Sequence, residues 1–124
     1  MTAHAKFGAS NAKRRMGCPG SMQAEAPFPD ESSPYAELGT AAHELGEFCL
    51  VNGHEDARTF IGKEFNSNVV DDNMAAAVNI YIDHVRAVAM SEPTICRYEK
   101  RFSLDKLDPP MPMFGTADCI IYGK

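Results

Sequence analysis

Apolar residues recur at three- and four-residue steps in two stretches of the chain, and each stretch carries its own start and stop signals. In the first, Leu38, Ala41, Ala42, Leu45, Phe48 and Cys49 form one stripe. Ser33 can cap this segment ahead of Pro34, whose missing amide donor costs nothing at a first helical position, and Asn52-Gly53 suits its end. A helix over about 34–51 is predicted. In the second stretch the stripe is Met74, Ala77, Val78, Tyr81, Val85 and Val88, with Asp71 or Asp72 as the cap and Ser91 and Pro93 as the stop. Between the two helices, residues 53–70 lack a clean period and read as a connection with a helical turn near 56–60.

From Thr94 to Leu104 the β-branched and aromatic content rises. A turn at Pro109-Pro110-Met111-Pro112 then leads into a second strand over about 113–122. An isolated hairpin is marginal, so this one must pack on the helices or join further strands. The first 33 residues are rich in Gly, Pro, Ser and Ala and read mostly as loop, with one short helix over about 10–16 ending at Gly17 and Cys18-Pro19-Gly20. The order helix, helix, hairpin predicts an α+β fold, and 124 residues with 44% hydrophobic content are enough for a single domain with one core.

The formal net charge of −5 argues against a generally basic, nonspecific nucleic-acid binder but leaves room for a local patch. Lys13-Arg14-Arg15 is the basic cluster, readable as a solvated helix face or as phosphate contacts. Cys18, Cys49, Cys96 and Cys119 show no C-x-x-C spacing and no secretory apolar segment precedes them, so reduced thiols in a cytoplasm are expected. No run approaches the roughly 18 apolar residues that span a bilayer, and no membrane partner is expected.

Two positions stand out chemically. On a helical wheel His43 lies away from the Leu38/Leu45/Cys49 stripe, flanked by Gly39 and Gly46 at i−4 and i+3. Glycine inside a helix is unfavourable by about 1 kcal/mol relative to alanine, so this pair suggests a close approach by a strand or a ligand. His43 then reads as a boundary histidine beside that strand or as a ligand-binding one. Asp118 lies in Phe114-Gly115-Thr116-Ala117-Asp118-Cys119-Ile120-Ile121-Tyr122, a strand with no other charge. It is either an edge aspartate facing water or a carboxylate that is paired or metal-bound. Glu44 and Glu47 read as solvated. Glu99 reads as a strand glutamate paired with Arg97 or Arg101. A zinc site drawn from His4, Cys18, His43, His54 and His84 would match no standard spacing.

The segment Glu37-x-Gly39-Thr40-Ala41-Ala42-His43-Glu44 on a helix, followed by Gly115-Thr116-Ala117-Asp118 on a strand, resembles the RecB-like branch of the PD-(D/E)XK nucleases. More narrowly it is similar to a phage and prophage group within that branch, a likeness that also takes in Ala9 to Ser21 and the region from Val70 to Asp118. The resemblance implies a hairpin that starts a restriction-endonuclease-like mixed sheet, and a divalent-metal phosphodiesterase acting on DNA beside phage recombination or replication proteins in a bacterial cytoplasm. His43 and Asp118 match two of its metal ligands, Glu99 stands where relatives often have a glutamate ahead of the metal-binding strand, and Gly39, Gly46 and Gly115 are supporting positions. Imidazole with carboxylates favours Mn²⁺ over Mg²⁺. Cys18 matches one iron–sulfur ligand of some relatives, but the other cysteines are not clustered and no cluster is expected. The family's acid-x-lysine strand is expected beyond Lys124, which itself reads as a turn lysine. The chain is therefore expected to be an N-terminal portion, inactive by itself. The alternative is a non-catalytic DNA-binding or protein-interaction module.

Overall fold

The computed structural model describes residues 8–29, 31–90 and 94–123. A 3-10 turn at Ala9–Asn11 runs into α1 (Ala12–Gly17), followed by α2 (Ser21–Glu25) and α3 (Pro34–Asn52). A 3-10 turn at Ala57–Phe60 precedes the short strands β1 (Glu64–Phe65) and β2 (Asn68–Val69). The chain continues through α4 (Asp72–Met90), β3 (Thr94–Ser103), a 3-10 turn at Asp105–Leu107 and β4 (Phe114–Gly123). The class is α+β, with β1 paired to β2 and β3 paired to β4. Contacts divide the chain into two compact units, one made of the residues before Ser32 with 100–117, the other of 32–99 with 118–124. His4, Lys124 and the expected helix stop at Ser91 and Pro93 lie outside the described residues.

In the second unit the helix ends are those the sequence encodes. The Ser33 hydroxyl accepts from the Ala36 amide at 3.2 Å, Pro34 holds the first turn, and Gly53 closes α3 at φ +72°, a conformation that carries a Cβ penalty for other residues. Asp71 is the residue that caps α4, accepting from the Met74 amide at 2.7 Å. Ala41, Leu45 and Cys49 of α3 meet Met74, Ala75, Val78 and Ile82 of α4 in one core, completed by Ala57, Phe60 and Val70.

The predicted α3 stripe is buried at Ala41, Leu45 and Cys49, whereas the α4 stripe is rotated relative to what is buried. Residues 34–40 of α3, Leu38 among them, are exposed because the core begins only at Ala41. On α4 the buried set is Met74, Ala75, Val78, Ile82 and Val85, while Ala77 and Val88 face out. That helix packs on the 57–60 turn as well as on α3, which pulls its apolar face round toward Ile82. Gly46 is buried, and a Cβ there would meet the Tyr81 ring at 3.0 and 3.1 Å. The close approach expected at this glycine is therefore made by a helix, not by a strand. Gly39 has open space around its Cβ position and Gly115 only an ordinary 3.9 Å contact with Ala9, so neither is required by packing.

The 53–70 connection is more ordered than its lack of period suggested, because side chains supply what periodicity does not. Asn79 of α4 accepts from the Ala57 amide and donates to Asp56 Oδ1, both at 2.8 Å, and Asp56 also accepts from the Arg58 amide at 2.9 Å. Asn66 and Ser67, at φ +43° and +59°, make the two left-handed residues of a tight hairpin turn between β1 and β2. Phe48, His54, Phe60 and Phe65 pack ring against ring, with centroids 5.0 to 6.1 Å apart.

The first unit holds a second short helix, α2, where loop was expected. Arg14 of α1 pairs with Glu25 of α2 at 2.5 Å, and Arg15 donates to the Gly8 carbonyl at 2.8 Å. In the same unit the Arg101 guanidinium lies 3.5 Å over the Phe114 ring.

Gly46→Ala should be destabilising by about 1 kcal/mol in chemical unfolding, since displacing the Tyr81 ring outweighs the gain in helix propensity. Gly39→Ala, with open space, should be stabilising by up to about 1 kcal/mol. The bonds from Asn79 and the Arg58 amide hold the Asp56 carboxyl below its ordinary value. A depressed native pKa gives stability that is present above the unfolded value and lost as the acid is protonated. Melting temperature should therefore fall as pH drops below about 4, and Asp56→Asn should flatten that limb of the profile.

Candidate metal centre

Three elements of the second unit bring their chemistry to one place. His43 stands on the side of α3 away from the Leu45/Cys49 core face, and its Nδ1 lies 3.6 Å from Asp118 Oδ1 on β4. Strand alternation puts Asp118 on the exposed face with Thr116, and His43 and Asp118 are each a little over half exposed. Glu99 of β3 joins them: one ligand atom from each of His43, Glu99 and Asp118 lies within 4.8 Å of the other two. Among the described residues this is the grouping of His, Cys, Asp and Glu that can hold a metal ion.

Glu99 departs from the surface pairing with Arg97 or Arg101 that its position suggested. Its φ is +46°, a left-handed residue in the middle of a strand and a bulge-like break in the pleat. Simple alternation would put Glu99 on the face opposite Tyr98, yet both are half-buried. The break turns the carboxylate toward His43 and Asp118, while Arg101 rests on Phe114 instead. No periodic pattern reports a single left-handed residue. The available signal was that Glu99 is the sole acid of β3, ahead of a strand with one acid of its own.

Electrostatics set the condition under which these groups can coexist. Burial raises the Glu99 carboxyl above its ordinary value, the negative charges of Asp118 and Glu47 raise it further, and His43 opposes them. Ions with bonds of about 2.0–2.1 Å place opposite ligands at most about 4.2 Å apart. The 3.6 Å His43–Asp118 separation already fits, and Glu99 closes the set with a side-chain adjustment of about half an ångström. One imidazole and two carboxylates suit Mn²⁺ and accept Mg²⁺.

A protein-family model described as "Protein of unknown function (DUF2800)" matches residues 4–124. The chain belongs to the DUF2800 family. No solved structure matches it. In this DUF2800 chain the other candidates are not drawn into the centre. Lys13, Arg14 and Arg15 are on α1 in the first unit, with Arg14 and Arg15 engaged there. His54 stacks on Phe48 at 5.4 Å, and its carbonyl accepts from Arg86. Cys18 and His84 are exposed and Cys49 is buried in the core, where burial raises its thiol. Among the described residues no helix is long and apolar enough to cross a membrane.

If Glu99 is held for its carboxylate, stability and binding should separate at this position. Glu99→Asn, a residue that tolerates the left-handed region, should melt at or above the parent temperature while losing Mn²⁺-dependent stabilisation. Glu99→Val, which does not tolerate it, should be destabilised by about 1–3 kcal/mol. Calorimetric melts with and without Mn²⁺ read both effects.

Proposed function

We propose that this chain carries a divalent-metal centre for phosphodiester hydrolysis on DNA, within a RecB-like PD-(D/E)XK nuclease of phage or prophage type working in a bacterial cytoplasm. The observation that carries the reading is the approach of His43 and Asp118 to 3.6 Å, from a helix and a strand far apart in sequence. These are the two residues that the nuclease resemblance marks as ligands.

His43, Asp118 and Glu99 would hold Mn²⁺ or Mg²⁺. Bound there, such an ion supplies charge stabilisation on a phosphate and a water of lowered pKa. The chain's own part is to fix three donors on α3, β3 and β4, and to leave that side open, as the exposure of His43 and Asp118 does. None of the lysines has an acid two residues before it, so no water-positioning lysine of the family type is assigned here and turnover by this chain alone should be slow.

Titration calorimetry with Mn²⁺ should detect one site, weakened at least about tenfold by His43→Ala and by Asp118→Asn. End-labelled DNA incubated with the protein and Mn²⁺ reads the chemistry. Cleavage lost in both variants supports the nuclease reading, and undiminished cleavage by either one sinks the site assignment. Mn²⁺ binding with no cleavage over incubations long enough to reveal slow turnover assigns the chain to a non-catalytic DNA-binding or protein-interaction role.

A further inference from the structure

One turn along α3 from His43 begins a pocket of about 340 Å³. Its walls are Glu44, Glu47, Phe48, Val51, Asn52 and Phe65. The floor is apolar: the Phe48 and Phe65 rings stand 5.8 Å apart at 65°, and Val51 is 61% exposed beside them. The rim is made of acceptors. Glu44 and Glu47 carry carboxylates, and Asn52 donates its amide to the Phe48 carbonyl at 2.8 Å, which leaves its side-chain oxygen as a third acceptor. The occupant that complements this lining has a flat apolar body edged with N–H donors, and carries no anionic group into the pocket.

Position adds to that chemistry. Glu47 follows His43 by four residues and so projects from the same face about 6 Å along the helix. It is near enough to the metal cluster for its charge to act on Glu99. Glu47 thus joins the rim of the pocket to the helix face that carries His43. We propose that this pocket takes the nucleobase of the nucleotide whose phosphate is held at the His43–Glu99–Asp118 centre, and that it selects bases bearing an exocyclic amino group. The proposal rests on the metal-centre reading above. Aromatic faces stack on any base, whereas carboxylate acceptors reward an amino group and leave the O4 of thymine facing like charge.

The test uses the whole chain and four probes: Mn²⁺, adenosine, dAMP and dTMP. Adenosine alone should shift the aromatic proton resonances of Phe48 and Phe65. With Mn²⁺ present, dAMP should bind roughly tenfold more tightly than dTMP, the cost of leaving a rim acceptor unmet. Val51→Trp fills the pocket and should abolish the adenosine shifts while leaving Mn²⁺ affinity within about twofold, since Val51 is no ligand. Normal Mn²⁺ binding with no response of Phe48 or Phe65 to adenosine overturns the pocket assignment alone. Failure of Mn²⁺ to bind overturns the metal reading and the proposal with it. Shifts at Phe48 and Phe65 caused by a short lysine- and arginine-containing peptide, and not by adenosine, overturn it in favour of a basic partner segment.

Discussion

The contact of the Tyr81 ring with the backbone of α3 at Gly46 governs where everything else in the second unit can lie. A side chain at Gly46 would hold the two long helices apart, and the interdigitation of Leu45 and Cys49 with Val78 and Ile82 depends on that approach. Burial above all, with the charges of Cys119, Asp118, Glu99 and Tyr98 adding to it, pushes the hydroxyl of the same tyrosine up to about 12. The ring that docks the helices thus also borders the strands that bear the carboxylates. Helix packing and site geometry are one constraint here.

The gathering of Glu99, Asp118 and Glu47 around one histidine works against the fold in the absence of a counter-ion. Like charges brought together raise the energy of the native state, and the left-handed backbone at Glu99 adds strain of its own. A stability-optimised hairpin would carry neither feature. Their presence where, among the described residues, imidazole and carboxylates converge is what distinguishes this cluster from ordinary surface acids.

What the sequence makes legible is whatever repeats or punctuates. Ser33-Pro34 and Asn52-Gly53 bound α3, Asp71 caps α4, and β3 and β4 run within a residue of the spans read from their β-branched content. The rotation of the α4 stripe toward Ile82 was hidden because the helix has two packing partners, and a single period describes only one. The β1–β2 ribbon and the 57–60 turn were hidden because Asn79, Asp56 and two left-handed residues build them, with no alternation to read. For the site, His43 and Asp118 could be singled out by type and setting. Glu99 could be marked only by its place ahead of the Asp118 strand, since its direction is fixed by one dihedral angle that leaves no trace in the pattern of neighbours.

The second unit is not one stretch of chain: Asp118 returns to it only after residues 100–117 have been built into the other. The helices α3 and α4 can condense from near neighbours, whereas pairing β4 with β3 and placing Asp118 against His43 close a much longer loop. The cluster is therefore assembled late, after most of its unit has packed. An ion bound as proposed above would have its full set of donors only once β4 has joined β3, so it would favour the folded form and act as a clasp on that pairing.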